Sequence, residues 1–111
     1  MGTISTIGSS AWSIDVEGDE ASAVIRLAGE FDLYNAPALA DALERVSAAH
    51  AVVVDLTDVT FLDSTVLASL VRLKREMSEP GGLVLYGPSR DVRRAFRVSG
   101  LDRYFAIADA A

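Results

Sequence analysis

Apolar and polar positions alternate with period two over residues 12–16 and again over 23–27, the pattern of strands with one face buried. Gly18-Asp19-Glu20 supplies turn chemistry between them, so the two runs read as a hairpin that Gly29-Glu30-Phe31-Asp32 closes. The period then changes. Leu39, Leu43 and Val46 fall at helical spacing, with Asp41, Glu44 and Arg45 turned to water. Asn35 is placed to cap this helix, and Pro37 fits its first turn, where no backbone donor is required. Residues 51–56 are almost continuously apolar, as in a strand covered on both faces or set deep in a sheet. Thr57-Asp58-Val59-Thr60 reads as the loop that follows. Val66, Leu70, Leu73 and Met77, flanked by Leu67 and Val71, predict a helix over about 64–78, ended by Pro80-Gly81-Gly82. Residues 83–86 form a buried strand stopped by Gly87-Pro88. Ser89 caps a short helix with Val92, Ala95 and Phe96 on its apolar side and Gly100 as its stop. Residues 104–107 make a last strand.

The predicted order is β-β-α-β-α-β-α-β. Helical crossovers after the hairpin require parallel pairing, so the sheet is mixed and the fold class is α/β. Residues 1–10 are small and polar and read as a flexible leader; residues 11–111 form the folded domain.

Composition narrows the possible partners. The chain has 111 residues, enough for one core and not two. Half of them are apolar, and the net charge is −6, which argues against nucleic acid or an anionic membrane surface as the main partner. There is no cysteine, hence no disulfide framework or thiolate chemistry. No apolar run is long enough to span a bilayer, and the N-terminus lacks the pattern of a signal peptide. A cytoplasmic location is expected by elimination. Met1-Gly2-Thr3-Ile4-Ser5-Thr6 formally matches a myristoylation pattern, but no basic cluster follows to supply the second signal that anchoring needs.

Catalytic chemistry is hard to assemble from these residues. His50 is the only histidine and sits at a helix end, where an exposed, inert role is expected. No Gly-x-Ser-x-Gly elbow and no dinucleotide or phosphate-loop glycine spacing occurs. Asp55, Asp58 and Asp63 suggest a phosphate-accepting receiver domain with Asp55 as acceptor. That fold also needs an acidic pair after its first strand and a lysine after its last, and Lys74, the only lysine, lies mid-helix. No enzyme activity, metal site or cofactor is therefore expected.

The most informative stretch is Phe61-Leu62-Asp63-Ser64-Thr65-Val66-Leu67. It puts Ser64 and Thr65 at or near a helix N-cap, where a side-chain oxygen can accept a free backbone N–H. A helix N-terminus also tolerates added negative charge. Capping residues are common, and from this window alone a purely structural cap is the leading reading, ahead of a regulatory site. Ser64, Thr65, Ala68, Arg72, Arg75 and Glu76 fall opposite the buried stripe, which is either an ordinary solvated face or a docking surface. Arg90, Arg93, Arg94 and Arg97 cluster on the next helix, to meet an acidic partner or to offset neighbouring carboxylates.

Three segments together resemble the STAS family, specifically its stand-alone anti-sigma factor antagonists. Gly29-Glu30-Phe31-Asp32 with Asn35 is similar to the family's Gly-Glu-Leu-Asp segment. Residues 53–65 resemble its strand, loop and Asp-Ser-Ser/Thr motif. Residues 92–105, with Gly100-Leu101, resemble its C-terminal helix and Gly-Leu segment. The resemblance implies a small mixed sheet with helices packed mainly on one face. It also implies a binding protein that, unphosphorylated, holds an anti-sigma factor serine kinase and frees the sigma factor. Ser64 corresponds to the phosphoacceptor, with Thr65 as second choice, and a serine phosphatase would reset the switch. Asp32, Asn35, Asp58, Asp63, Ser64, Thr65, Ala68 and Arg72 are the expected partner-binding residues. Within the same family, the alternatives are a STAS subunit of an ABC-type lipid transporter and a scaffold component of a signalling complex. One departure stands out: the family commonly has glycine after the Ser-Ser/Thr pair, where this chain has Val66. Its side chain must be accommodated near the phosphorylation loop, either retuning kinase docking or marking a divergent member that is not phosphorylated.

Overall fold

The computed structural model describes residues 3–9 and 11–110. Strands β1 (Thr3–Gly8), β2 (Trp12–Gly18), β3 (Ser22–Phe31), β4 (Ala51–Leu62), β5 (Leu83–Tyr86) and β6 (Ala106–Ala108) lie side by side in chain order. The first two pairings are antiparallel and the remaining three parallel, so the sheet is mixed as expected. Helices α1 (Ala36–Val46), α2 (Ser64–Glu76) and α3 (Arg90–Val98) make the three parallel crossovers. Crossovers are right-handed, and these all step across the sheet in one direction, which stacks the helices on one face.

Burial follows that arrangement. Ala23, Ile25 and Leu27 of β3, Val52, Val54 and Leu56 of β4, and Leu83 and Leu85 of β5 are buried beneath the helices. Val24, Val53 and Val84, in register across the same strands, point the other way and are only half-buried. The apolar run at 51–56 therefore marks a strand central in the sheet, not one covered on both faces. The helices complete the core with Leu39, Leu43 and Val46 of α1, Val66, Leu70 and Leu73 of α2, and Val92 and Phe96 of α3. Each such leucine or phenylalanine contributes about 1.5–3 kcal/mol by leaving water.

Three expectations are corrected. Residues 3–8, read as part of a flexible leader, pair with β2 from Thr3↔Gly18 to Gly8↔Ser13. An edge strand is held by backbone hydrogen bonds to its neighbour, and Thr3, Ile4, Thr6 and Ile7 are β-branched residues suited to it. Leader residues 1, 2 and 10, with the myristoylation pattern's Gly2, lie outside the described residues. Second, 57–60 is not a loop, because β4 runs on to Leu62 beside Ala28 to Phe31. Val59 is buried while Thr57, Asp58 and Thr60 face water, so the segment's polarity reflects an exposed face and not a turn. Third, the last strand begins at Ala106; Leu101–Arg103 forms a 3₁₀ turn that leaves Phe105 buried edge-to-face on Phe96, centroids 5.7 Å apart.

The β3–β4 register shifts twice, between Arg26 and Ala28 and between Gly29 and Glu30, so β4 carries an extra residue at each place. Such bulges bend a strand and re-aim its end. Gly29 takes φ +95°, and a Cβ there would stand 2.1 Å from the Ala11 carbonyl oxygen. Only glycine fits, and β2 can then stay close while β3 turns toward its end. The carboxyl ends of β3 and β4 are thereby brought together.

Candidate functional site

The joined ends of β3 and β4 are closed by Phe31↔Leu62 pairing and by the Asp63 N–H, which donates to the Phe31 carbonyl at 3.2 Å. Asp63 is then the N-cap of α2: its backbone is extended, and its Oδ1 accepts the Val66 N–H at 3.1 Å. Ser64 was expected at or near the cap; it stands one residue inside the helix. The carboxylate takes the capping role because it reaches the third helical N–H, the standard N-cap contact. Ser64 is exposed, and its hydroxyl has no hydrogen-bond partner among the described residues. Thr65 is exposed beside it, its carbonyl accepting the Ser69 hydroxyl at 3.2 Å.

Ser64, Thr65, Ala68 and Arg72 share the outer face of α2, all exposed. Arg72 lies about 12 Å along the axis from Ser64, by the rise of an α-helix. Its Nε is 3.1 Å from Glu76 Oε1, one turn further on. Val66 is fully buried, so the residue that replaces the family's glycine faces the core and leaves the outer surface uncrowded.

The loop after β3 forms the other wall. Asn35 is the sole buried polar or charged side chain among the described residues, 5% exposed. It stands at the N-cap position of α1, as expected, and its carbonyl accepts the Leu39 N–H at 3.2 Å, but its side chain makes no bond to that helix. Its Oδ1 accepts the Asp32 N–H at 2.9 Å and its Nδ2 donates to the Glu30 carbonyl at 2.8 Å, so it staples the loop from inside. The Asp32 carboxylate accepts the Tyr34 N–H at 2.9 Å. Phe31 underlies the loop, fully buried, with Trp12 edge-on at 6.1 Å.

The structure thus brings Asp32, Asn35, Asp63, Ser64 and Thr65 to one end of the sheet, with Ala68 and Arg72 leading away. Asp58 stands apart. It pairs with Ala28, four residues before Leu62, or about 13 Å back along the strand. Asp55 and Asp58 lie along β4 and Asp63 just past its end, and the three do not converge. Asp55 accepts the Thr57 N–H at 2.9 Å and the Thr57 hydroxyl at 2.7 Å, contacts local to the first bulge of β4. His50 is exposed and meets Glu79 at 2.7 Å. Lys74 bonds the Tyr104 carbonyl and lies 4.3 Å from the Tyr104 ring centre, tying α2 to the C-terminal segment. Of the α3 arginines, Arg93 pairs with Asp109, while Arg90, Arg94 and Arg97 face water.

Sequence patterning passed over two residues here. Leu33 and Tyr34, at the tip of the stapled loop, are 73% and 89% exposed. An apolar pair between Asp32 and Asn35 was the available signal, but periodicity has nothing to say about a loop.

The family model described as "Mlab, STAS domain" matches residues 14–108. The chain belongs to the STAS domain family. An anti-sigma-B factor antagonist of Listeria monocytogenes is 38% identical over 102 residues, covering 86% of this STAS domain and 87% of the relative. The crystal structure of an anti-sigma factor antagonist from Mycobacterium paratuberculosis superposes with TM-score 0.78 at 29% identity, over 97% of this chain and 87% of that one. The unphosphorylated form of the anti-sigma factor antagonist SpoIIAA superposes with TM-score 0.71 at 22% identity, over 98% and 89%, and so shares the fold.

Proposed function

We propose that this STAS domain is an anti-sigma factor antagonist and not an enzyme. Unphosphorylated, it binds an anti-sigma factor serine kinase and releases the sigma factor; phosphorylated at Ser64, it lets go. The single observation carrying the switch is that Asp63 caps α2 and so leaves the Ser64 hydroxyl exposed and unengaged. The kinase's ATP would pass its γ-phosphoryl group to Ser64 Oγ, with ADP leaving and the hydroxyl proton going to a kinase base. A serine phosphatase would return the hydroxyl by adding water and releasing phosphate. Asp32, Asn35, Asp63, Ser64, Thr65, Ala68 and Arg72 form the docking surface in this reading, with Asp58 at its margin and Thr65 the second acceptor.

Electrostatics supports the reading. A phosphoserine adds about −1.5 to −2 charges beside Asp63. The α2 N-terminus offsets part of that charge within the domain, whereas a partner carrying nucleotide phosphates meets it unshielded. Asp58 lies about 13 Å back along β4 from Leu62, so it stands at the margin of this charge and not beside it. Such a switch acts in the cytoplasm, and no described helix is long and apolar enough to cross a membrane.

Ser64→Ala and Ser64→Asp forms, used as paired baits in native-host lysate, test this. Recovery of a small ATP-binding serine kinase by the alanine form alone is the expected result. Equal recovery by both overturns the switch, and transporter subunits on both would assign the chain to the ABC-type lipid transporter reading.

A further inference from the structure

We infer that Leu33 and Tyr34 are the apolar anchor by which the anti-sigma factor holds this protein, inserting into an apolar pocket rimmed by lysine and arginine. The inference deepens the antagonist reading and rests on it. It separates the grip from the switch: the loop after β3 supplies affinity, and Ser64 controls it.

Exposure comes first. Among the described residues Tyr34 is the most exposed large apolar side chain, at 89%, and Leu33 follows Val98 at 73%. They are adjacent in sequence, so together they form one projecting knob. An unsupported loop would fold such a pair down onto the nearest apolar surface. Here the backbone denies that option, because three hydrogen bonds hold it: Asn35 Oδ1 to the Asp32 N–H, Asn35 Nδ2 to the Glu30 carbonyl, and Asp32 Oδ1 to the Tyr34 N–H. The knob is held out in solvent before any partner arrives. Preorganisation of that kind lowers the ordering cost of binding. Tyrosine is also among the residues that dominate binding energy at interfaces.

Continuity with Ser64 comes second. The knob begins two residues beyond Phe31, and Ser64 lies two beyond Leu62, its cross-strand partner. Asp63 bonds back to Phe31, so the loop and the start of α2 form one joined surface. A kinase that delivers phosphate to Ser64 meets this joined surface.

Charge fixes the partner's chemistry. The segments that meet at this end of the sheet, residues 28–35 and 58–65, contain four carboxylates (Glu30, Asp32, Asp58 and Asp63) and no lysine or arginine, with Arg72 two turns further along α2. Glu30, Asp32 and Asp63 lie closest to the knob. A complementary pocket is therefore apolar at its floor and basic at its rim. Rim charges of this kind mainly set the rate of encounter, and buried anchors set the rate of release.

The test titrates the wild-type protein, Leu33→Ala, Tyr34→Ala, Ile7→Ala and Ser64→Asp against each purified anti-sigma factor of the protein's own host, in the presence of ADP. Ile7 is a matched control, an exposed apolar residue on the edge strand. Tyr34→Ala is expected to weaken binding about 30-fold, mostly through faster dissociation, the size of a hot-spot residue. Ile7→Ala should bind as wild type. Both loop variants binding within about threefold of wild type, while Ser64→Asp still binds poorly, overturns the anchor and leaves the antagonist reading intact. No binding by the wild-type protein to any of these factors overturns both. Circular dichroism and thermal melts accompany each variant; should Tyr34→Ala melt early, Leu33→Ala decides the question.

Discussion

Asp63 and Ser64 are neighbours with separate duties, and substitution distinguishes them. Asp63→Ala removes the side chain that accepts the Val66 N–H, a loss of about 1 kcal/mol and several degrees in Tm. Ser64→Ala removes an exposed hydroxyl with no partner and should change stability by less than about 0.5 kcal/mol. Urea denaturation of the two variants checks both numbers, and an equal loss in each would make Ser64 part of the cap. Asn35 is a harder case. Asn35→Ala orphans the Asp32 N–H and the Glu30 carbonyl beneath a covered loop, at about 1–3 kcal/mol. Asp19 provides a pH effect of known sign. Backbone N–H donors from Ser22 and Ala21 hold its carboxyl below the ordinary value, so its folded pKa is lower than its unfolded one. Its contribution is complete above the unfolded value and is lost as pH falls through the folded value. Asp19→Asn should therefore flatten the acid limb of the stability curve and leave the neutral and alkaline range nearly parallel to wild type.

Among the elements, α2 shows what a departure from the family pattern does. Val66 replaces the usual glycine and is buried beneath the helix, so its β-branched side chain contributes to the core. Val66→Gly should cost about 2–4 kcal/mol, from the lost apolar volume and from glycine in a helix. It should leave the rate of phosphorylation at Ser64 nearly unchanged, because the deleted atoms face inward. A large rate change in the folded variant would put Val66 at the docking surface after all. The same helix was legible in the sequence, since Val66, Leu70, Leu73 and Met77 recur at the period of the face that is in fact buried. Strand β4 beyond Leu56 was not legible. Its two bulges break the alternation at the point where a strand would be recognised, and Asp58 and Thr60 resemble a loop because they face water. Strand β1 was missed for a different reason: an edge strand is specified by backbone pairing, which leaves little trace in side-chain periodicity. The helix-start position of Asp63 and Ser64 was legible through the motif. The role of Asn35 was not, because the same residue type serves as a helix cap or a loop staple, and only the fold determines which donors lie within reach.

At the scale of the molecule, chain-ordered strands and same-handed crossovers place every helix on one face and gather the ends of β3 and β4 into one rim. The hairpin of β1 and β2 stands at one edge of the sheet, with α3 and β6 toward the other. Under the proposed antagonist reading, this geometry bears on whether phosphorylation at Ser64 would work locally or by remodelling the domain. Added charge at Ser64 is screened over about 8 Å, so it acts on the first turns of α2 and on the end of β3 that Asp63 bonds. The core beneath is formed by Phe31, Leu62 and Val66, all buried, and none of them has to move when a group is added to an exposed oxygen. Affinity can change only through a difference in how the partner meets the two forms. A local switch therefore predicts that amide chemical shifts change over about residues 30–36 and 61–70 on phosphorylation, with the β1–β2 hairpin and α3 unaltered. Hydrogen-exchange protection of the β3, β4 and β5 core should be equal in the two forms. Shifts spread through α3, or protection lost across the central strands, would mean that the phosphate acts by loosening the fold, and the exposed position of Ser64 would then be incidental to how the partner is released.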